Sequence, residues 1–256
     1  MRRGNHDRQA PAPPAADTSS DPVVRAAALT KHFGELVAVR DLTFTLERGT
    51  VTGFLGPNGA GKTTTLRLLL GLAEPTSGSA LVFGRRYRDL AQPSRRVGAV
   101  LESGDFHPGR SGRDHLRALA LAASLPPSRV EAVLELVELT PAADRRAKTY
   151  SLGMRRRLGL AAALLGEPEL LVLDEPANGL DPAGVHWLRA FLRRFAEEGG
   201  TVLVSSHVLA EIAQTVDQVV IIDRGRLVAV LAIDELRASG ESLEARYLEL
   251  TAGGVR

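Results

Sequence analysis

The spacing of apolar positions changes along the chain. Leu42, Phe44 and Leu46 alternate with Thr43 and Thr45, the two-residue period of a half-buried strand. Gly49 turns the chain, residues 51–55 form a short apolar strand running into a glycine-rich loop, and residues 63–72 predict a helix. In the centre the period lengthens. Residues 113–123 are Ala/Leu-rich, and Val130, Val133, Leu134 and Val137 share one helical face. Pro126, Pro127 and Pro141 punctuate these helices, so residues 103–157 read as a helical insertion between strand regions. Strand pattern sits at residues 97–101 before the insertion, and returns after it at 170–173, 201–205 and 218–222. Between the latter group's first two strands, Asp181 is a helix N-cap, Pro182 takes the first position and Gly199 marks the stop. The apolar face of that helix is Leu188, Phe191, Leu192 and Phe195. Apolar strands alternating with helices predict an α/β fold with a mainly parallel sheet covered on both faces. Residues 223–226 predict a hairpin turn into a last strand at 227–230.

Residues 1–22, with Pro11, Pro13 and Pro14, offer nothing to bury and are expected as a disordered tail. One domain is expected over residues 23–230, with residues 231–256 as a C-terminal tail. Composition narrows the function classes. At 4% aromatic residues, a stacking platform for single-stranded nucleic acid is not expected. The 32 basic and 30 acidic residues nearly balance, which makes no strong phosphate-binding field, so nucleic acid is not an expected partner. Zero cysteines exclude a disulfide framework, thiolate zinc sites and a cysteine nucleophile. No segment reaches the roughly 18 apolar residues of a membrane span, and Arg2 and Arg3 lead no apolar run, so the chain reads as cytoplasmic.

The strongest chemistry lies in the glycine-rich loop. Gly56, Pro57, Asn58, Gly59, Ala60, Gly61, Lys62 and Thr63 fit the pattern G-x-x-x-x-G-K-[ST]. The glycines let successive backbone N–H groups point inward at phosphate oxygens, and the following helix adds its positive end. Lys62 is expected to reach the β- and γ-phosphates and the Thr63 hydroxyl to ligate Mg²⁺, with Thr64 beside it. A chance match is expected in roughly one chain of this length in a hundred, given the ordinary glycine content of proteins. Residues 170–173 are an apolar strand ending in Asp174 and Glu175. A buried strand has no use for charge until it emerges at its C-terminal edge, where ligands bind in open α/β sheets. Asp174 is expected in the Mg²⁺ shell, and Glu175 to orient or deprotonate an attacking water. A solvated strand-to-loop junction is the alternative for this segment alone.

A third motif, Tyr150-Ser151-Leu152-Gly153-Met154, stands before a helix and upstream of the acidic strand. With it the sequence resembles the ATP-binding cassette (ABC) family from about Val23 onward. The resemblance implies a P-loop NTPase core with a mainly parallel sheet, an N-terminal antiparallel β subdomain and a helical signature-bearing insertion. It makes Ser151 and Gly153 signature residues that contact ATP held by a second chain. Asn178-Gly179-Leu180-Asp181 resembles the D-loop, His207 the switch histidine on the γ-phosphate, and Phe33 the aromatic that stacks on adenine. Glu102 stands where the family usually has glutamine, still able to ligate Mg²⁺ or hold water, and Leu152 replaces a signature glycine. Both departures, and the C-terminal residues 242–251, resemble a branch of half-size exporters whose permease is a separate polypeptide.

The resemblance implies an ATP hydrolase subunit, with ATP and Mg²⁺ as cofactors, acting as a homodimer on an integral membrane permease at the inner face of the membrane. The competing class is a soluble member of the same superfamily acting on ribosomes, DNA or cluster assembly. Against it stand a single cassette, no coiled-coil run and no zinc cysteines. A non-enzymatic nucleotide sensor conflicts with the Asp174-Glu175 pair and His207. Arg155, Arg156 and Arg157 read as a solvated helix face, Trp187 as packing on the sheet, and His107 and His115 lack metal-ligand spacing.

Overall fold

A computed structural model describes residues 21–101, 106–209 and 213–252. Strands β1 (Val24–Phe33) and β2 (Leu36–Leu46) pair antiparallel as a hairpin. The chain then crosses to β3 (Val51–Leu55), continues through the glycine-rich loop into helix α1 (Lys62–Leu69), and returns in β4 (Ser77–Val82) to the free edge of β1. A short α2 (Pro93–Arg96) leads into β5 (Val97–Val100), and three helices follow: α3 (Gly112–Ala122), α4 (Ser128–Leu136) and α5 (Leu152–Leu164). The remaining order is β6 (Leu170–Leu173), α6 (Pro182–Glu197), β7 (Thr201–Ser206), β8 (Gln218–Asp223), β9 (Arg226–Ala232), α7 (Ile233–Ser239) and α8 (Leu243–Ala252). The larger sheet has the order β5-β6-β7-β3-β8-β9, parallel except for β9, which hairpins back on β8; the smaller has the order β2-β1-β4.

Residue alternation divides the burial into two cores, one on each face of the larger sheet. Leu171 and Leu173 of β6, Val202 and Val204 of β7, and Val219 and Ile221 of β8 join α5, α6 and the inserted helices. Their neighbours Leu170, Val172, Leu203, Val220 and Ile222 join Phe54, α1 and the antiparallel sheet. That is why these strands read as continuous apolar runs. Helices α3, α5 and α6 have side-chain caps: Ser111 accepts from Asp114 N–H, Ser151 from Met154 N–H and Asp181 from Gly184 N–H. Gly199, at φ 94°, ends the last turn of α6.

Two sheets and the glycine-rich loop meet at one carbonyl. Gly61 has φ 102°, and a Cβ there would stand 2.5 Å from the Ala38 oxygen of β2; at Gly225, in the β8–β9 turn, it would stand 2.8 Å from the same oxygen. Gly225 also accepts from Arg40 N–H at 2.7 Å and donates to the Ala60 carbonyl at 2.9 Å. Only glycine allows both the backbone conformation and the approach. The two sheets are thereby held at a fixed distance around the loop.

Residues 231–256, expected as a tail, hold α7 and α8, and Ile233, Leu236 and Leu243 are buried in the helix-side core. The N-terminal tail expectation falls on residues that, apart from Asp21 and Pro22, lie outside the described ones. Among the described residues no helix is long and apolar enough to cross a membrane. Leu171 is fully buried, while Leu248 of α8 is 57% exposed. Leu171→Ala is expected to lower stability by about 2–5 kcal/mol in urea unfolding, and Leu248→Ala by no more than about 0.5 kcal/mol.

Candidate active site

The C-terminal ends of β3, β6 and β7 bring one cluster together, as the parallel order requires. Gly56, behind the loop, packs so tightly that a Cβ would stand 2.4 Å from the Ile222 carbonyl oxygen, and Ala60 is buried. Residues 57–59 and 61–64 line an open cleft of about 380 Å³ together with Phe33, Leu36 and Glu175. Phe33 is 52% exposed, so its ring is no part of the core; the Lys31 ammonium lies 4.9 Å from its centroid. A Cβ at Gly59 would meet no atom within 4 Å, so the loop arches over open space.

Lys62 is buried and its ammonium is fully engaged. It donates to the Gly56 carbonyl at 2.7 Å and lies 3.3 Å from Glu175 Oε1. The second Glu175 oxygen lies 2.8 Å from His207 Nδ1. Beside this chain runs another. Thr63 Oγ1 donates to Asp174 Oδ2 at 2.7 Å, and Ser205 Oγ donates to Asp174 Oδ1. Glu175 N–H donates to Ser205 Oγ at 2.9 Å. Glu175 itself takes φ 47°, a left-handed conformation uncommon outside glycine.

The donor set suits a phosphate-bound divalent cation. A hydroxyl and a carboxylate stand side by side at the start of α1, oxygen ligands of the hard type such ions take. A cationic side chain, backbone amides and a helix N-terminus face the same cleft. This arrangement can cradle a polyphosphate, and the carboxylate–imidazole pair can handle a water proton beside it.

A family model described as ABC transporter matches residues 39–178. The chain belongs to the ABC transporter family. It is 42% identical over 217 residues to the bacitracin transport ATP-binding protein BcrA of Enterococcus faecalis, covering 84% of this chain and 70% of that protein. Over 202 residues it is 36% identical to the lantibiotic transport ATP-binding protein SrtF of Streptococcus pyogenes, covering 78% and 86%. A solved ATP-binding subunit of an ABC transporter superposes with TM-score 0.80 at 30% identity, covering 90% of this chain and 99% of that one.

The residues expected to form the signature lie elsewhere in the molecule. Ser151, Gly153 and Asp181 line a second cavity, of about 320 Å³, between α5 and α6, and none of them borders the glycine-loop cleft. Ser151 and Asp181 spend their side chains on capping these two helices. Leu152, the departure from the usual signature, packs where a Cβ on Gly179 would stand, 2.3 Å from its Cδ2. Glu102 lies outside the described residues.

One expectation needs correction. Arg155 is exposed, but Arg156 and Arg157 are not a solvated face. Arg156 buries Nε and Nη1 without a hydrogen-bond partner, and Arg157 donates to Glu138 at 2.6 Å with its guanidinium 4.1 Å from the Trp187 centroid. Trp187 packs against the helix-side core as expected, with the Arg157 guanidinium over its ring and the Phe191 ring centroid 5.7 Å away. Counting charges along a helix does not see that long arginine stems fold back over apolar neighbours. Ser205 was invisible for another reason: a serine ending an apolar strand matches no motif, though its place two residues before His207 was a usable signal.

Lys62→Ala removes the cation of this ABC site. Hydrolysis is expected to fall to background, a barrier increase of about 3–4 kcal/mol or more, in a phosphate-release assay.

Proposed function

We propose that this chain is the ATP-binding and ATP-hydrolysing subunit of an exporter, working as a pair of copies under a separate integral membrane permease at the inner face of the membrane. The observation that carries the reading is the division of the site. The phosphate loop and Glu175 line one cleft with exposed Phe33, Asp174 and His207 being joined to it through Thr63 and Glu175, while Ser151 and Gly153 line another cavity. A nucleotide in that cleft needs a second chain to meet a signature serine. The relatives' names support the transport part of this reading, since BcrA and SrtF are transport ATP-binding proteins.

In this reading adenine stacks on Phe33, and the phosphates lie over the loop amides and Lys62. Lys62 gives up Glu175 for the phosphates, and the freed Glu175 orients or deprotonates the attacking water. His207, now paired with Glu175, turns one ring nitrogen toward the γ-phosphate. Thr63 and Asp174, with Glu102 from its loop, would hold Mg²⁺, which neutralises charge on the phosphate oxygens. Asp181 would contribute at the interface of the two copies. Closure of the pair moves the helical insertion, and a permease gripping it near residues 106–116 is switched between access states. ATP drives this because it binds the closed pair far better than the open one.

Glu175→Gln preserves shape and removes the carboxylate. With ATP and Mg²⁺ this variant is expected to elute as a dimer in gel filtration, and adding Ser151→Arg to return it to monomer. A variant that stays monomeric even with its permease in detergent would reject the sandwich. Glu102→Gln is expected to keep turnover within about tenfold, since either side chain offers an oxygen; about 1.4 kcal/mol in barrier is the limit. Isolation of the chain from membranes tests the partner: recovery with ribosomes or DNA, and with no membrane protein, would favour the soluble class.

A further inference from the structure

The strand register sets Ser205 beside the acidic pair. Leu173 of β6 pairs with Val204 of β7, so Asp174 and Ser205 stand at the next position of the same ladder. Leu173 and Val204 both face the helix-side core, so the following residues turn to the opposite face, where Phe54 pairs with Ser205 and α1 begins at Lys62. Ser205 is fully buried there. Its hydrogen bonds have only one possible polarity. Glu175 N–H can only donate, so the hydroxyl oxygen accepts from it, and the hydroxyl proton goes to Asp174 Oδ1.

We propose that Ser205 is a positioning residue for hydrolysis, tying the cation-binding carboxylate to the backbone of the water-activating one. The inference rests on the ATPase reading of the cleft. In the structure Asp174 is held at both oxygens, by Ser205 at Oδ1 and by Thr63 at Oδ2. Thr63 and Asp174 Oδ2 are the pair facing a cation, and Thr63 must turn its hydroxyl proton away to offer an oxygen lone pair. Ser205 is then the tether that remains. It keeps Oδ1 pointing inward, so that Oδ2 stays toward α1. The same hydroxyl holds Glu175 N–H while that residue sits at φ 47°. One buried oxygen therefore sets the relative placement of two carboxylates with different tasks. Ser206, its neighbour, serves the next loop instead, accepting from Val208 N–H at 2.9 Å.

Three variants separate this role from packing. Ser205→Ala deletes the hydroxyl, Ser205→Thr keeps it, and Ser205→Val has the size of threonine without it. Two readouts are used: steady-state ATP hydrolysis, and Mn²⁺ affinity by electron paramagnetic resonance with a non-hydrolysable ATP analogue bound. In Ser205→Ala, kcat is expected to fall about 10- to 100-fold, as for a lost hydrogen bond to a charged group, with KM for ATP within about threefold. Mn²⁺ is expected to bind about five- to tenfold more weakly, a smaller loss because Thr63 and Asp174 remain. Ser205→Thr should recover most of both, and Ser205→Val neither. A Ser205→Ala protein that melts earlier yet keeps Mn²⁺ affinity and kcat within about twofold would overturn the proposal, as would equal defects in Thr and Val. Should the threonine methyl prevent folding, the Mn²⁺ affinity of Ser205→Ala decides alone. Absence of hydrolysis in the unsubstituted chain would sink the ATPase reading, while the Mn²⁺ measurement would still judge Ser205.

Discussion

The Ala38 carbonyl is the contact on which the rest of the site depends. Gly61 of the phosphate loop and Gly225 of the β8–β9 turn both close on it, each at a distance no side chain would tolerate. Because β2 is thereby clamped to the loop, the antiparallel sheet cannot slide over the parallel one. Phe33, at the end of the neighbouring strand, is placed over the cleft by this clamp and by no contact of its own with the core. The exposed aromatic ends a strand of the antiparallel sheet and the buried lysine begins the helix that follows β3 of the parallel one, yet they border one opening.

A second constraint acts through parallel pairing. Adjacent strands in register deliver their last residues to one edge, so Thr63, Asp174, Glu175, Ser205 and His207 gather without any segment having to be long or strained except at Glu175. The inserted helices use the other face of the same sheet. Ser151 caps α5 and Asp181 caps α6, which means the residues expected to meet a second chain are also structural stops of their own helices. A residue with both duties cannot drift far without unwinding a helix turn, and this keeps the presenting surface stiff.

Much of this was legible in the sequence because the governing patterns are local. The loop spacing, the apolar strand ending in two carboxylates and the Asp181-Pro182 helix start each need only a few adjacent residues, and the structure places those elements within a residue or two of expectation. What escaped depends on the third dimension. The last helices looked like a tail because Ile233, Leu236 and Leu243 are too few to announce a core, yet each finds a buried place. Arg156 and Arg157 looked solvated because the stacking of Trp187 under a guanidinium joins residues far apart in the chain. Ser205 fits no motif and is marked only by its place two residues before His207; its meaning comes from standing opposite Asp174 across a strand pair.

The ion pair between Lys62 and Glu175 has a consequence for economy in the cell. Each partner occupies the other: Lys62 lies 3.3 Å from one Glu175 oxygen, and His207 Nδ1 lies 2.8 Å from the second. In the proposed cycle a polyphosphate that draws Lys62 away frees one of those oxygens to act on water. In that cycle the nucleotide itself releases the group that consumes it.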